Sequence, residues 1–286
     1  QVAPHWKLLG GLRVDSISGD FRSTTTQGGV NTYSKAWMSD TVGSYRAGVL
    51  YQPTPTSSFH LSYGTSFNTS ADTYQYVTQQ TANTPPEKSR NLELGAKIDW
   101  LEGKLSTRAA IFRTEKFNER TTDADYAGDA YLLSGKRHSA GLELEVVGRP
   151  TPNLEVYLSY AFIPTTRIDR AGSTAQNSVG QKFGLVPKHS GSAWVTYNVT
   201  PQLRLGAGLT GSSENYSISG TSPVRGARAP GYVVADLLAE YRFTPETYLQ
   251  FNVSNVNNTL YAAELYRGFY VAGAPRTYKL TIGTRF

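Results

Sequence analysis

Three arginines and a tyrosine, Arg225, Arg228, Tyr266 and Arg267, stand in two polar, glycine-bearing stretches and form the candidate binding set. A guanidinium supplies charge-assisted hydrogen-bond donors, and an aromatic ring offers flat contact area and a face for cations. Together they suit noncovalent capture of a large anionic or aromatic chelate. Neighbouring stretches add Tyr33, Trp37, Tyr74, Tyr76, Tyr126, Tyr131, Tyr216, Phe269 and Tyr270. The alternative for any single tyrosine is a place in an interface belt or a contact that steadies a loop.

Covalent chemistry has a weaker footing. The four histidines, His5, His60, His138 and His189, are too dispersed for a metal cluster, and no G-x-S-x-G elbow is present. Cysteine is absent, which removes a thiol nucleophile, a thiolate metal site and a disulfide scaffold. His60 falls on the polar face of its segment, opposite Phe59, Leu61 and Tyr63, and the other three lie near segment ends. Lumen hydrogen bonding and loop anchoring are the expected roles, and the chain is not expected to be an enzyme.

The elements that would position the binding set are strands. The last nine residues, Tyr278–Phe286, alternate apolar and polar and stop on an aromatic, as the last strand of an outer-membrane barrel does. Eleven further segments alternate similarly: 5–15, 44–53, 57–67, 89–100, 104–114, 138–149, 153–163, 190–199, 202–212, 231–243 and 247–256. In 89–100, Leu92, Leu94, Ala96, Ile98 and Trp100 oppose Asn91, Glu93, Lys97 and Asp99. Glu143, Glu145, Asp236 and Glu240 require faces that meet water. The fold class is therefore all-β: an antiparallel up-and-down transmembrane β-barrel with about 12 strands present.

The links sort into two classes. Thr54-Pro55, Thr151-Pro152, Thr200-Pro201 and Thr244-Pro245 mark short turns, and Leu101-Glu-Gly-Lys104 supplies a fifth. Long links are expected at 15–43, 67–88, 115–137, 164–189, 213–230 and 257–275. Short turns on one side and long loops on the other are the usual asymmetry of outer-membrane barrels, with the long loops extracellular.

Composition agrees. With 39% hydrophobic residues and a mean hydropathy of -0.39, no apolar run is long enough for a membrane helix. The 19 Tyr, 11 Phe and 27 Gly suit aromatic-girdled strands and tight turns. A net charge of +6 is scattered along the chain without a dense basic run, so nucleic acid is not an expected partner. The chain starts at Gln1-Val-Ala-Pro without a leader-like stretch, and a processed or excised piece is expected.

Gly231-Tyr-Val-Val-Ala-Asp236, Leu249-Gln-Phe-Asn-Val-Ser-Asn-Val256 followed by Leu260-Tyr261, Gly273-Ala-Pro-Arg276 and the terminal Phe286 resemble the end of a TonB-dependent ferric-siderophore receptor. Glu93-Leu-Gly-Ala-Lys97 and Val186-Pro-Lys-His189 also resemble that family's strands. The resemblance implies a barrel of about 22 strands filled by an N-terminal plug. Residues 1–286 would then be one barrel domain, the C-terminal portion, with the plug and early strands absent. It further implies uptake of a ferric siderophore, possibly of catecholate type, across the Gram-negative outer membrane. Partners would be that ligand as cargo, the TonB complex through the plug, and outer-membrane lipid, with no covalently bound cofactor. Gly273–Arg276 is read as a structural turn outside the binding set. The alternative is a self-closed twelve-stranded porin or barrel enzyme, a porin drawing on Arg46, Lys97, Arg108, Glu143, Glu145, Arg204, Asp236 and Arg242 for its constriction.

Overall fold

The computed structural model describes residues 2–68, 85–122, 131–171, 179–216, 228–266 and 269–285; all the regular structure among them is β. The strands are β1 (Trp6–Gln27), β2 (Val30–Thr54), β3 (Ser57–Asn68), β4 (Glu87–Trp100), β5 (Leu105–Thr122), β6 (Tyr131–Thr151), β7 (Leu154–Arg170), β8 (His189–Asn198), β9 (Leu203–Ser212), β10 (Asn215–Tyr216), β11 (Arg228–Ala229), β12 (Tyr232–Arg242), β13 (Thr247–Ser254), β14 (Ala262–Tyr266), β15 (Phe269–Ala272) and β16 (Thr277–Thr284). Twelve form one antiparallel sheet in the order β1-β2-β3-β4-β5-β6-β7-β8-β9-β12-β13-β16, and β10-β11 and β14-β15 are separate two-stranded ribbons. All twelve expected strands are present.

The short turns follow from side-chain chemistry. Thr200 Oγ1 accepts hydrogen bonds from the backbone N–H of Gln202 at 3.2 Å and of Leu203 at 3.0 Å. Thr244 Oγ1 does the same for Glu246 at 3.2 Å and Thr247 at 3.1 Å. In both, the hydroxyl satisfies donors that the reversal leaves without a ladder partner, while the proline fixes φ. The turn after β4 instead places Leu101, Glu102 and Gly103 in the left-handed region, with Gly103 N–H bonded to the Trp100 carbonyl at 3.0 Å.

The sheet has two chemically distinct faces. Leu92 and Leu94 on β4, Ile111 on β5, Leu209 on β9 and Leu280 and Ile282 on β16 leave about half or more of their surface uncovered. Aromatic ladders edge this face: Trp6–Tyr51 at 4.6 Å and Tyr51–Phe59 at 6.4 Å near the short turns, and Tyr45–Tyr63 at 5.9 Å further along the strands. The other face is polar and concave, since residues from β3 to β12, including His60, Lys97, Glu143, Ser192 and Tyr232, line one cavity of about 850 Å³. On that face Trp194 lies across two glycines; a Cβ at Gly208 would fall 2.1 Å from its ring, and one at Gly206 would fall 3.1 Å away.

Two expectations need correction. Residues 15–43 are not a loop: β1 and β2 pair without interruption from Trp6↔Tyr51 to Gln27↔Val30, closing on Gly28-Gly29. Both glycines have positive φ, 58° and 79°, which suits the twist of a two-residue hairpin turn. Alternation fades there because Ser, Thr and Asn occupy both faces, while their β propensity and the ladder keep the chain extended. Tyr33 and Trp37 therefore lie on β2, on the face opposite the buried Ala36 and Met38. Strands β5, β6 and β7 also run well into the expected links 115–137 and 164–189. The self-closed alternative is not realised: among the described residues β1 pairs only with β2 and β16 only with β13, and these edges are 22 and 8 residues long.

Gly208→Val should lower unfolding stability by about 1–3 kcal/mol through overpacking against Trp194. In a Trp194→Ala background the same change should cost much less, a coupling measurable by urea unfolding of the two single variants and the double variant.

Candidate functional site

The long-link end of the sheet is assembled around two stitched regions. In the first, residues 179–188 run along the upper part of β7. Gly180 N–H bonds the Ile168 carbonyl at 2.8 Å, Ile168 N–H bonds Gln181 at 2.9 Å, and Ile163 N–H bonds Lys188 at 2.8 Å. This places the Phe183 ring under the Arg137 guanidinium, 5.1 Å to the centroid. Arg137 also pairs with Glu119 at 2.5 Å, and Lys116 pairs with Glu87 at 2.8 Å and Glu119 at 3.7 Å. Further along, Leu185 N–H bonds the Tyr216 carbonyl at 2.7 Å and ties the segment to β10.

The β10-β11 ribbon carries the one member of the predicted set whose side chain is described. Arg228 on β11 faces Tyr216 in the ladder, and its guanidinium donates to Glu214, which also accepts from the Tyr216 hydroxyl at 3.2 Å. The pair is open to solvent, with Arg228 63% exposed. Tyr266 closes β14 opposite Phe269, and Tyr270 beside it on β15 is exposed. Arg225 and Arg267, like Tyr74, Tyr76 and Tyr126, lie outside the described residues; Tyr131 begins β6. The structure thus brings Arg228 together with Tyr216, one of the neighbouring aromatic candidates, and with Glu214, which the sequence reading did not include. At the same end of the sheet it gathers Lys116, Arg137 and Phe183. For Lys116 a signal existed, because the alternation Arg108, Ala110, Phe112, Thr114 continues to it.

The second region is an asparagine knot. Asn255, 2% exposed, donates from Nδ2 to the carbonyls of Thr259 and Ala274, each at 2.9 Å. Its Oδ1 accepts from Thr259 N–H at 2.9 Å, and its own N–H bonds Asp236 at 2.8 Å. Asn257 bridges to the Val233 carbonyl and Ala235 N–H on β12, and Asn258 Oδ1 accepts from Arg276 N–H at 3.0 Å. Gly273 packs under Tyr261, where any Cβ would strike the ring. Gly273–Arg276, read from the sequence as a structural turn, links β15 to β16.

The histidines serve as hydrogen-bonding anchors: His5 with the Gln52 carbonyl, His60 with Glu93, His138 with Asp169 and His189 with Tyr160, all at 2.7–2.8 Å. No metal-binding group of His, Cys, Asp or Glu is found among the described residues. Four cations on the concave wall are matched by acids: Lys97 with Asp99, Arg108 with Glu145, Arg204 with Glu155 and Arg242 with Glu240.

Residues 1–258 match the family "TonB dependent receptor-like, beta-barrel". The chain belongs to this family. A relative in Bordetella pertussis, "Probable TonB-dependent receptor BfrD", is 32% identical over 285 residues, covering 94% of this chain and 37% of its own. The structure of the ferric-catecholate import receptor Fiu from Escherichia coli K12, in its closed form, matches 100% of the chain and 43% of its own at 26% identity and a TM-score of 0.88. The siderophore receptor PiuA of Acinetobacter baumannii matches 99% and 41% at 26% identity and a TM-score of 0.89. The chain spans less than half the length of the relatives it matches.

Asn255→Ala should destabilise the receptor by about 2–4 kcal/mol, because buried carbonyls and an N–H lose their partners together. Denaturant unfolding of the protein in detergent measures it. Arg228→Ala and Glu214→Gln should each leave stability within about 1 kcal/mol, since an exposed ion pair contributes little. Their effects on binding an anionic chelate should be opposite in sign, weaker for Arg228→Ala and tighter for Glu214→Gln, as read by ligand titration.

Proposed function

We propose that this chain forms part of the wall and outer loops of a Gram-negative outer-membrane receptor that takes up a ferric siderophore, of catecholate type, with energy from the TonB complex. The observation that carries this reading is the match of the whole chain to the ferric-catecholate import receptor Fiu. A catecholate complex of ferric iron is strongly anionic and flat-ringed, and suits the guanidinium of Arg228, those of Arg225 and Arg267, and the rings of Tyr216, Tyr266 and Tyr270. Glu214 would hold Arg228 in place until the chelate displaces it, exchanging one charge-assisted bond for others. The plug that TonB acts on and the remaining strands belong to the whole receptor in this reading, with residues 1–286 as its C-terminal barrel portion.

The apolar outward face and its aromatic edges support embedding in lipid. A porin constriction concentrates charge around the lumen, whereas Lys97, Arg108, Arg204 and Arg242 here are each paired with a neighbouring acid. The family is one of receptors, so barrel catalysis recedes as well.

The test uses the full-length receptor in cells and in detergent. Cells expressing it should accumulate radioactive iron from the ferric complex of 2,3-dihydroxybenzoate, and deletion of TonB should abolish the accumulation. Purified protein should bind that complex in preference to a ferric tris-hydroxamate, and Arg228→Ala should weaken binding by about tenfold. TonB-independent uptake would sink the transport reading. Preference for the hydroxamate would sink the catecholate assignment alone.

A further inference from the structure

On four successive strands the outward apolar stripe ends abruptly and cations begin. Ascending β4 on this face, Leu94 and Leu92 give way to Arg90 and Lys88; on β5, Ile111 gives way to Arg113 and Glu115; on β6, Leu142 and Ala140 give way to His138 and Lys136. Residues directly opposed across a ladder share a face, and the register joins these positions into rows. One row reads Arg90↔Glu115↔His138↔Arg167, and the next reads Lys88↔Phe117↔Lys136↔Arg170. Bulges in β7 bring Arg167 and Arg170 into these rows, on the face of Leu142↔Phe162.

The charge balance of the patch is lopsided. Arg90, Arg113 and Lys136 converge on one carboxylate, Glu115, at 2.8, 3.0 and 3.4 Å, and the side chain of Glu115 is only 10% exposed. Asp169 is occupied by His138 at 2.7 Å. Lys88, Arg167 and Arg170 are exposed and have no ion-pair partner among the described residues. A cavity of about 280 Å³ opens between Arg90, Phe117, Lys136 and Arg170. Six cations against two acids, set directly above a stripe of leucines, differ from the balanced pairs of the concave wall.

We propose that this patch binds the phosphorylated headgroup of an outer-leaflet glycolipid of the lipid A type. Its phosphates would sit among Lys88, Lys136, Arg167 and Arg170, and its acyl chains along Leu92, Leu94, Ile111 and Leu142. The two halves of the lipid match the two halves of the surface: fatty chains meet apolar side chains, and phosphates meet guanidinium and ammonium groups at the polar boundary. Glu115 acts as an internal spacer that holds three cations together against their mutual repulsion without cancelling the surplus. The proposal rests on the outer-membrane reading above.

The test titrates full-length receptor in detergent with bisphosphorylated lipid A and with the same lipid chemically dephosphorylated, reading bound lipid by native mass spectrometry. Wild type should prefer the phosphorylated form by on the order of tenfold or more. Lys88→Gln/Arg167→Gln/Arg170→Gln should lose most of that preference, and the charge-retaining Lys88→Arg/Arg167→Lys/Arg170→Lys should keep it. These three cations hold no ion-pair partner among the described residues, so folding and iron uptake should stay at wild-type levels. Equal binding of the two lipids by wild type, or an undiminished preference in the glutamine variant, would overturn the assignment. Wild-type protein that fractionates away from the outer membrane would instead overturn the membrane reading on which it rests.

Discussion

Every strand of this wall separates an apolar surroundings from a polar interior, and a backbone in that position must satisfy each N–H and C=O through its neighbours. The continuous ladder from β1 to β16 does so, and it also fixes register. A one-residue slip in β5 would turn Arg108 and Thr114 outward and carry Ile111 into the concave side, so pairing and side-chain chemistry are a single constraint. The glycines beneath Trp194 and the bulges in β7 are local adjustments to it: the first make room for an inward ring, the second re-aim charges near the strand tops.

From that constraint follows the division of charge. The concave wall pairs cations with acids across or along strands, as Arg108 with Glu145 and Arg204 with Glu155. The outward boundary carries a cationic excess, and the β10-β11 ribbon carries an exposed arginine held by one glutamate. The chain therefore carries three zones of different charge balance: ion pairs on the concave wall, a cationic excess on the outward face, and a single exposed pair on the separate ribbon.

The loop end depends on polar fastening more than on apolar packing. Asn255 and its neighbours join β12, β13 and the approach to β16 through side-chain amides. Residues 179–188 are held by backbone bonds to β7 and by the Arg137–Phe183 contact. Such bonds are directional, so they hold the segments beyond the strand ends at defined positions.

By itself the sequence determined the strand count, the two faces and the Thr-Pro turns, because side-chain alternation and turn chemistry are local properties. It also carried the family resemblance in its last strands. It misjudged residues 15–43, where polar residues on both faces erased the alternation, although Gly28-Gly29 was a legible hairpin signal. Only the tertiary structure decided which charges meet. Glu115 lies far from Arg90 and Lys136 in sequence, Arg137 finds Phe183 on a separate segment, and Arg167 reaches the outward row through a bulge. Those meetings are set by register across several ladders and by single-residue bulges, and no window of consecutive residues contains that information.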